Sequence, residues 1–218
     1  MASAVEIVNL ALSNIRAGSI NSLDEGSLQA QVAKLKYPFM LDRLLREVPW
    51  QFNRKIRALS VLVTDVFNWA YAYQYPTDCL KVHRLVPAWE EIPAGGAKVL
   101  SRRFEPDLRD LKGLRRQVPY EVFNFDNNKV IASDDPELRI DYAAKITDPN
   151  LFSADFILAL SHLLGAELAI PLIGAETGRQ LRSDEMTLYQ AYLDSAIADD
   201  MNDGFNTPAE SEFITIRG

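Results

Sequence analysis

Apolar residues near the start of the chain recur at helical spacing and predict a first amphipathic helix. It begins at a capping box formed by Ser3 and Glu6. Its apolar positions lie three and four residues apart, at Val5, Val8, Leu12 and Ile15. We expect Arg16 in its last turn, where a cation suits the helix dipole, and Gly18 in the left-handed position that ends it.

A second helix is predicted because the capping-box spacing recurs at Ser22 and Glu25. Its apolar stripe continues through Leu28, Val32, Leu35, Phe39, Leu44 or Leu45, and Val48. Pro38 lies inside this pattern and predicts a kink or a break, since proline removes a backbone donor and crowds the preceding turn. Two helices so close in sequence should pack as an antiparallel pair.

The stretch YPFMLDRLLREVPWQF, residues 37–52, is the segment around which we expect the chain to be organised. The helix should stop at Val48 because Pro49 disfavours helix in the residue before it. Trp50 and Phe52 then enter a core as structural anchors.

The hydrophobic period changes after Phe52 and predicts β structure to about residue 147. Aromatic residues occupy every second position at Phe67, Trp69, Tyr71, Tyr73 and Tyr75, which lines one face of a strand. Leu80 and Val82 should begin a partner strand, and residues 138–146 alternate in the same way. Residues 120–125 and 129–132 flank Asp126, Asn127 and Asn128 and predict a hairpin.

Helical spacing returns near Ser153, the predicted N-cap, and Pro171 and Gly174 should end that helix. A last helix is predicted from about Arg179 to Met201. The fold class is therefore α+β and mainly helical, with a bundle built from both chain ends and an inserted small antiparallel sheet. The predicted parts are residues 1–52 and 148–204 for the bundle, 53–147 for the β domain, and 205–218 for an extended C-terminal arm.

The amino-acid composition and net charge limit the classes of function that the chain could have. The 218 residues are 48% hydrophobic and 24% charged, which is an ordinary globular composition, so we expect a folded chain. A net charge of -7 argues against a protein that coats nucleic acid, although a ring through which DNA passes is compatible with it. One cysteine and two histidines leave no internal disulfide and no histidine-based metal site, as expected for a chain in a reducing cytoplasm.

One apolar stretch, Phe156–Ala175, comes closest to a membrane span. It contains His162, Glu167 and Pro171, and ionisable residues near a bilayer centre are costly. We therefore expect a buried helix of a soluble protein, with His162 as a hydrogen-bonded core residue, and no membrane partner.

The sequence offers no convincing catalytic, cofactor-binding or metal-binding residues. Residues 95–98 read GGAK and lack the spacing of a phosphate-binding loop. In a strand, Cys79 and His83 would lie on one face about 13 Å apart, too far for a nucleophile and its base. Cys79 is instead expected to be a small buried apolar residue.

Two segments are candidates for contacts with partners. The basic one contains Arg102, Arg103, Arg109, Arg115 and Arg116, and either contacts DNA phosphates or an acidic partner ring, or is a solvated loop. The apolar one contains Phe213, Ile214 and Ile216 and is expected to add to a neighbouring subunit by β-augmentation. The acidic C-terminal helix, including Asp184, Glu185 and Asp194, either faces a DNA channel or is an ordinary solvated face.

Several segments resemble the head-to-tail adaptor (connector) proteins of tailed phages, related to tail tubular protein A of short-tailed phages. They are EIVNLALSNI, SINSLDE, YPFMLDRLLREVPWQF, YAYQYPTDCLKVHRL and FSADFILALSHLLGAELAIPL. Arg16 stands where glycine is expected in many members. These are structural residues, and the resemblance covers most of the chain.

The resemblance implies a non-enzymatic structural virion protein. Twelve copies would form a ring that docks on the portal, joins it to the tail nozzle or tail tube protein, and lines a channel through which genomic DNA passes without sequence-specific binding. The protein would lie at the head–tail junction of the virion, and in the host cytoplasm during assembly. Two rivals are a tail-associated cell-wall-degrading enzyme, which needs a close pair of carboxylates, and a small DNA-binding regulator, which needs a basic face.

Overall fold

The computed structural model describes residues 3–87 and 118–202, and within them the chain is α+β. The described residues form four α-helices, α1 Ala4–Asn14, α2 Leu28–Glu47, α3 Ala154–Ile173 and α4 Ala175–Asn202. In the same part of the chain, seven strands form two antiparallel sheets: β1 Arg54–Ala58, β2 Val61–Val66, β3 Trp69–Gln74, β4 Cys79–Pro87, β5 Glu121–Phe125, β6 Asn128–Ser133 and β7 Leu138–Ala144. The predicted fold class is confirmed at this level.

Helix α1 starts as predicted and ends earlier. Ser3 and Glu6 form the reciprocal capping box, with bonds of 3.2 and 2.7 Å. At the other end the Ala17 N–H donates to the Leu12 carbonyl at 2.9 Å, which requires Arg16 to be left-handed, with φ of 57°. The expectation that Arg16 lies in the last turn and Gly18 ends the helix is therefore wrong.

Helix α2 begins later than predicted. Its N-cap is Ser27, whose hydroxyl accepts a hydrogen bond from the Ala30 N–H at 3.3 Å. The predicted cap, Ser22, lies in a turn where Glu25 accepts a bond from the Asn21 N–H. The spacing of Ser22 and Glu25 therefore belongs to a turn and not to the start of a helix.

Helix α2 is continuous through Pro38, so the predicted break is absent. It ends at Glu47, and Val48 is extended with φ of -122° and ψ of 146°. The predicted effect of Pro49 on the residue before it is confirmed.

The buried face of α2 matches the predicted one at Leu44 and Leu45 and differs from it in the first half of the helix. Its buried positions are Ala30, Ala33, Tyr37, Leu41, Leu44 and Leu45. Leu28, Leu35 and Phe39 are exposed instead. Both sets have helical spacing, and packing against α3 selects the first. Helices α1 and α2 each pack mainly on α3, so the predicted antiparallel pair is wrong.

Helix α3 is the centre of the helical core and contacts α1, α2 and α4. Ser153 caps it as predicted, but the helix continues past Pro171 and ends at Gly174, with φ of 101°. By length and composition α3 could cross a membrane, yet most of it is buried inside the molecule, as expected for a core helix. His162 is a buried, hydrogen-bonded residue on α3, as predicted.

Helix α4 starts at Ala175, four residues before the predicted start, and lies against α3. The approach is closest at Gly178, where a Cβ would be 2.7 Å from the Ala169 carbonyl oxygen. Glycine at this position therefore allows the α3–α4 turn to be tight.

The first sheet has the strand order β1-β7-β4 and the second has the order β2-β3-β6-β5. The single predicted sheet is thus two sheets, and β4 pairs with β7 rather than with the aromatic strand β3. The predicted hairpin is present between β5 and β6. Asp126 and Asn127 form its two-residue turn with φ of 46° and 60°, as type I′ requires.

Two main hydrophobic cores result. One is shared by α1, α2, α3 and α4 and includes Trp50. The other combines residues of both sheets, among them Tyr73 on β3, Leu85 on β4, Ile131 on β6 and Tyr142 on β7.

Three side chains link the end of α2 to the chain that follows. The last carbonyls of a helix have no partner within the helix. Here the Trp50 Nε1–H donates to the Leu44 carbonyl at 2.9 Å, Asn53 Nδ2 to the Leu45 carbonyl at 3.0 Å, and Lys81 Nζ to the Arg46 carbonyl at 3.4 Å. Side chains from the segment after α2 and from β4 thus supply partners for the last carbonyls of the helix.

Candidate interaction surfaces

Both segments that the sequence singled out for partner contacts lie outside the described residues. They are Arg102, Arg103, Arg109, Arg115 and Arg116 in the basic segment, and Phe213, Ile214 and Ile216 in the C-terminal segment. The GGAK stretch at 95–98 also lies outside. Their roles remain predictions.

Trp50 and Phe52 are structural anchors, as predicted. Trp50 is 0% exposed. Its ring meets Phe156 edge-on, with ring centroids 5.2 Å apart. Phe52 is partly buried and meets Phe156 in the same way at 5.0 Å. Such edge-to-face pairs add to the burial of apolar surface, so this cluster holds the chain after α2 against the start of α3.

The aromatic strand β3 faces the core between the sheets through alternate residues. Tyr73 is fully buried and its hydroxyl donates to the Asp135 carbonyl. Tyr71 and Tyr75 pack against the same core, as period two predicts. Trp69 donates from Nε1 to the Glu121 carboxylate at 3.0 Å. Phe67 is not part of the strand and lies in the β2–β3 turn.

Cys79 is a half-buried residue that hydrogen-bonds to the Tyr75 hydroxyl at 3.2 Å. Burial raises the pKa of its thiol, so the nucleophilic thiolate form is disfavoured at neutral pH. Cys79 is therefore half-buried and hydrogen-bonded rather than the fully buried apolar residue that was predicted.

The exposed face of α2 presents an apolar stripe, which we call the α2 stripe: Leu28, Val32, Leu35 and Phe39. Leu28, Leu35 and Phe39 are 58%, 64% and 64% exposed, and Val32 is partly buried. Spacings of four, three and four residues place them on one helix face over about 16 Å. Scattered exposed leucines are common, but apolar residues aligned on one helix face form a candidate interaction surface.

A second set of exposed apolar residues, which we call the hairpin patch, lies along the β2–β3 hairpin: Val61 and Leu62 at the start of β2 and Phe67 in the turn at its other end. Strand β2 is at the edge of its sheet and pairs with β3 alone among the described strands. Val61 and Leu62 are exposed on it, and Phe67 is 82% exposed in the turn. An apolar edge strand offers both backbone hydrogen bonds and side chains to another chain.

Phe67 also has an unusual backbone conformation, with φ of 54°. A left-handed conformation is unfavourable for a bulky residue and persists where its surroundings impose it. The ring packs edge-on against Phe123 at 5.6 Å and Phe125 at 6.3 Å. The strain therefore places an aromatic ring on the outer face of this sheet.

The sequence assigned the residues of the α2 stripe to the core and counted Phe67 as a strand residue. It also described Glu185 as part of an acidic surface. Glu185 is buried, and its carboxylate lies 2.8 Å from His162 Nδ1, so it faces neither solvent nor a channel. The helical spacing of apolar residues alone could not show which face of α2 is buried and which is exposed.

No model of a known protein family matches the sequence, and no curated protein matches it either.

Proposed function

We propose that the chain is a structural virion protein, a head-to-tail adaptor whose copies form a ring on the phage portal. The ring, of twelve copies by resemblance to the adaptor family, joins the portal to the tail and lines the channel for the genome. The observation that carries this proposal is the α2 stripe, because a helix face with large exposed apolar side chains is suited to burial against another copy of the chain.

The two exposed apolar surfaces favour ring assembly over a simple pair. The α2 stripe is on a helix and the hairpin patch is on a sheet edge, so the two are not equivalent. Contact between two different patches on successive copies is heterologous and closes into a ring when the rotation permits. Each interface should bury more than roughly 1,000 Å² to persist.

The same proposal includes the division of the chain into a helical bundle, an inserted β domain and a C-terminal arm. The four helices share one core although they come from both chain ends. We take them as a bundle, with residues 53–147 as an inserted β domain and residues 205–218 as an extended arm. In the ring, the arm would pair with a neighbouring subunit through Phe213, Ile214 and Ile216, and the exposed edge of β2 is a suitable acceptor.

The test is to mix the purified protein with the portal ring from the same genome and image the mixture by negative-stain electron microscopy. We expect an added ring of density at one end of the portal. Portals that stay bare at high protein excess, even with a tail protein added, would contradict the proposal.

Point variants connect that result to the surface. Leu35→Glu combined with Phe39→Glu should abolish ring formation while unfolding stability stays within about 0.5 kcal/mol, since both side chains are exposed. Leu188→Glu is the matched control, because Leu188 is an exposed leucine on α4. Rings that form equally well with the double variant would exclude the α2 stripe as the interface. Deleting residues 205–218 tests the arm in the same assay.

A further inference from the structure

A cavity of about 390 Å³ lies where the end of α2 meets the first sheet. Its lining combines residues after α2 with residues of β1, β4 and β7: Pro49, Gln51, Arg54, Lys81, Val82, His83, Arg84 and Asp141. A volume in this range is typical of sites for small molecules.

The charges that line the cavity are mainly positive. Arg54, Lys81 and Arg84 contribute three cations against the single carboxylate of Asp141, which leaves two positive charges. The whole chain carries a net charge of -7. A local excess of positive charge on an acidic protein attracts anions to one place, and cavity walls strengthen that attraction.

Asp141 holds the two arginine side chains in fixed positions. It is buried, and Arg54 binds it through Nε at 2.8 Å and Nη2 at 2.6 Å. Arg84 binds it through Nε alone at 3.0 Å. Among the described residues, the terminal nitrogens of Arg84 have no acceptor, so they are available to a ligand already oriented by the Nε bond.

His83 provides a further group without a partner. Its Nε2 is buried and makes no hydrogen bond within the described part of the chain. Leaving a buried polar atom unpaired is unfavourable, and His83 is also one of the residues that line the cavity. Burial lowers the pKa of His83, with Lys81 and Arg54 acting in the same direction and Asp141 opposing them. A bound anion would instead raise the pKa of His83, because it stabilises the protonated imidazole.

We infer that this cavity is a binding site for a phosphate group, either inorganic phosphate or the terminal group of a phosphomonoester. Arginine and lysine are the side chains that bind phosphate oxygens most effectively. Two excess positive charges match a phosphate dianion, whereas a carboxylate would balance only one. The cavity is also larger than a phosphate ion, so an attached organic group has room.

The test uses the two histidines as internal probes. His83 lines the cavity, and His162 is buried on α3 beside Glu185. Histidine side-chain signals are followed by NMR during titration with sodium phosphate, with sodium chloride added to a reference sample at equal ionic strength. We expect the His83 signals to shift saturably and the pKa of His83 to rise, while the His162 signals stay in place.

Variants assign the binding to the cavity. Arg84→Gln should weaken phosphate binding about tenfold or more, since it removes a charge-assisted contact, and Asp141 keeps both bonds from Arg54. Lys81→Gln should weaken binding without touching Asp141. Arg57→Gln is the control, because Arg57 is on β1 but does not line the cavity.

A second titration with glycerol phosphate identifies the source of the ligand. Tighter binding than that of inorganic phosphate would assign the site to a phosphomonoester, and equal or weaker binding would assign it to free phosphate. If neither compound shifts the His83 signals saturably, or if Arg84→Gln and Lys81→Gln bind as the wild type does, the inference is wrong.

Discussion

Trp50→Ala tests the junction between helix and sheet most directly. The indole is completely buried, packs on Phe52 and Phe156, and donates its N–H to the Leu44 carbonyl. The substitution therefore removes a large apolar side chain and the partner of a helix-end carbonyl at the same time.

Two effects determine how much the free energy of unfolding should fall in Trp50→Ala. Replacing a buried tryptophan by alanine costs about 3 to 5 kcal/mol. The Leu44 carbonyl would also lose its hydrogen bond, and a buried polar atom left unpaired costs about 1 to 3 kcal/mol. Water entering the new space offsets part of the second cost, so we expect a total of about 4 to 6 kcal/mol. Trp50→Phe keeps most of the ring and loses the N–H, and should cost about 1 to 2 kcal/mol.

The assay is urea unfolding followed by circular dichroism at 222 nm, which reports the helices without depending on tryptophan fluorescence. Trp69→Phe serves as the matched control for Trp50→Phe, because Trp69 is less buried and bonds to Glu121 at an exposed site. A loss below about 1 kcal/mol for Trp50→Ala would refute the reasoning. It would mean that the Leu44 carbonyl finds another hydrogen-bond partner and that the surrounding aromatic residues pack equally well without the indole.

Substitutions at three further positions, with controls, have definite expected outcomes in the same unfolding assay. Arg16→Gly should stabilise the protein by about 0.5 to 1 kcal/mol because residue 16 is left-handed, and Arg16→Ala should give no gain. Gly178→Ala should destabilise by about 1 to 3 kcal/mol because its Cβ would meet the α3 backbone, whereas Gly26→Ala, with open space around it, should be nearly neutral. Asp141→Asn should cost about 3 kcal/mol at pH 7, and this difference from wild type should shrink as the pH falls below about 4.

The pH dependence of the Asp141 effect follows from the sign of its pKa shift. Burial alone would raise the pKa of this carboxyl, but the hydrogen bonds and charges of Arg54 and Arg84 outweigh burial and lower it. A folded-state pKa below the unfolded value means that the ionised carboxylate stabilises the fold above the unfolded pKa. That stability is lost as the pH falls through the folded pKa. A difference that grows towards acid pH would contradict this assignment.

Local signals in the sequence predicted the features that are decided locally. Ser3 and Ser153 cap their helices as expected, Pro49 ends α2 by acting on its neighbour, and the turn at Asp126 has the residues its geometry demands. Ser22 shows the limit of such signals. It has the same spacing to an acid as Ser3, but a turn satisfies both residues and the helix starts at Leu28.

Features that depend on distant partners were not predictable in the same way. Helix α2 has two apolar faces with helical spacing, and only the position of α3 decides that Leu41 is buried and Phe39 exposed. Strand β4 follows β3 in sequence but pairs with β7, because pairing is decided by the whole sheet rather than by neighbours in sequence. The cavity combines β1, β4 and β7, so no continuous motif could indicate it.

The capped end of α2 gives the molecule a mechanical property. Asn53 and Lys81 bond to two successive carbonyls at the end of the helix from the sheet side, and Trp50, which lies in the helical core, bonds to the carbonyl before them. Pulling the first sheet away from the helices would break the bonds of Asn53 and Lys81 and expose both carbonyls in one step. Elements coupled in this way open as one cooperative unit rather than separately. A load applied to the sheet is therefore transmitted to α2, and the amides of both should exchange with solvent at the same rate.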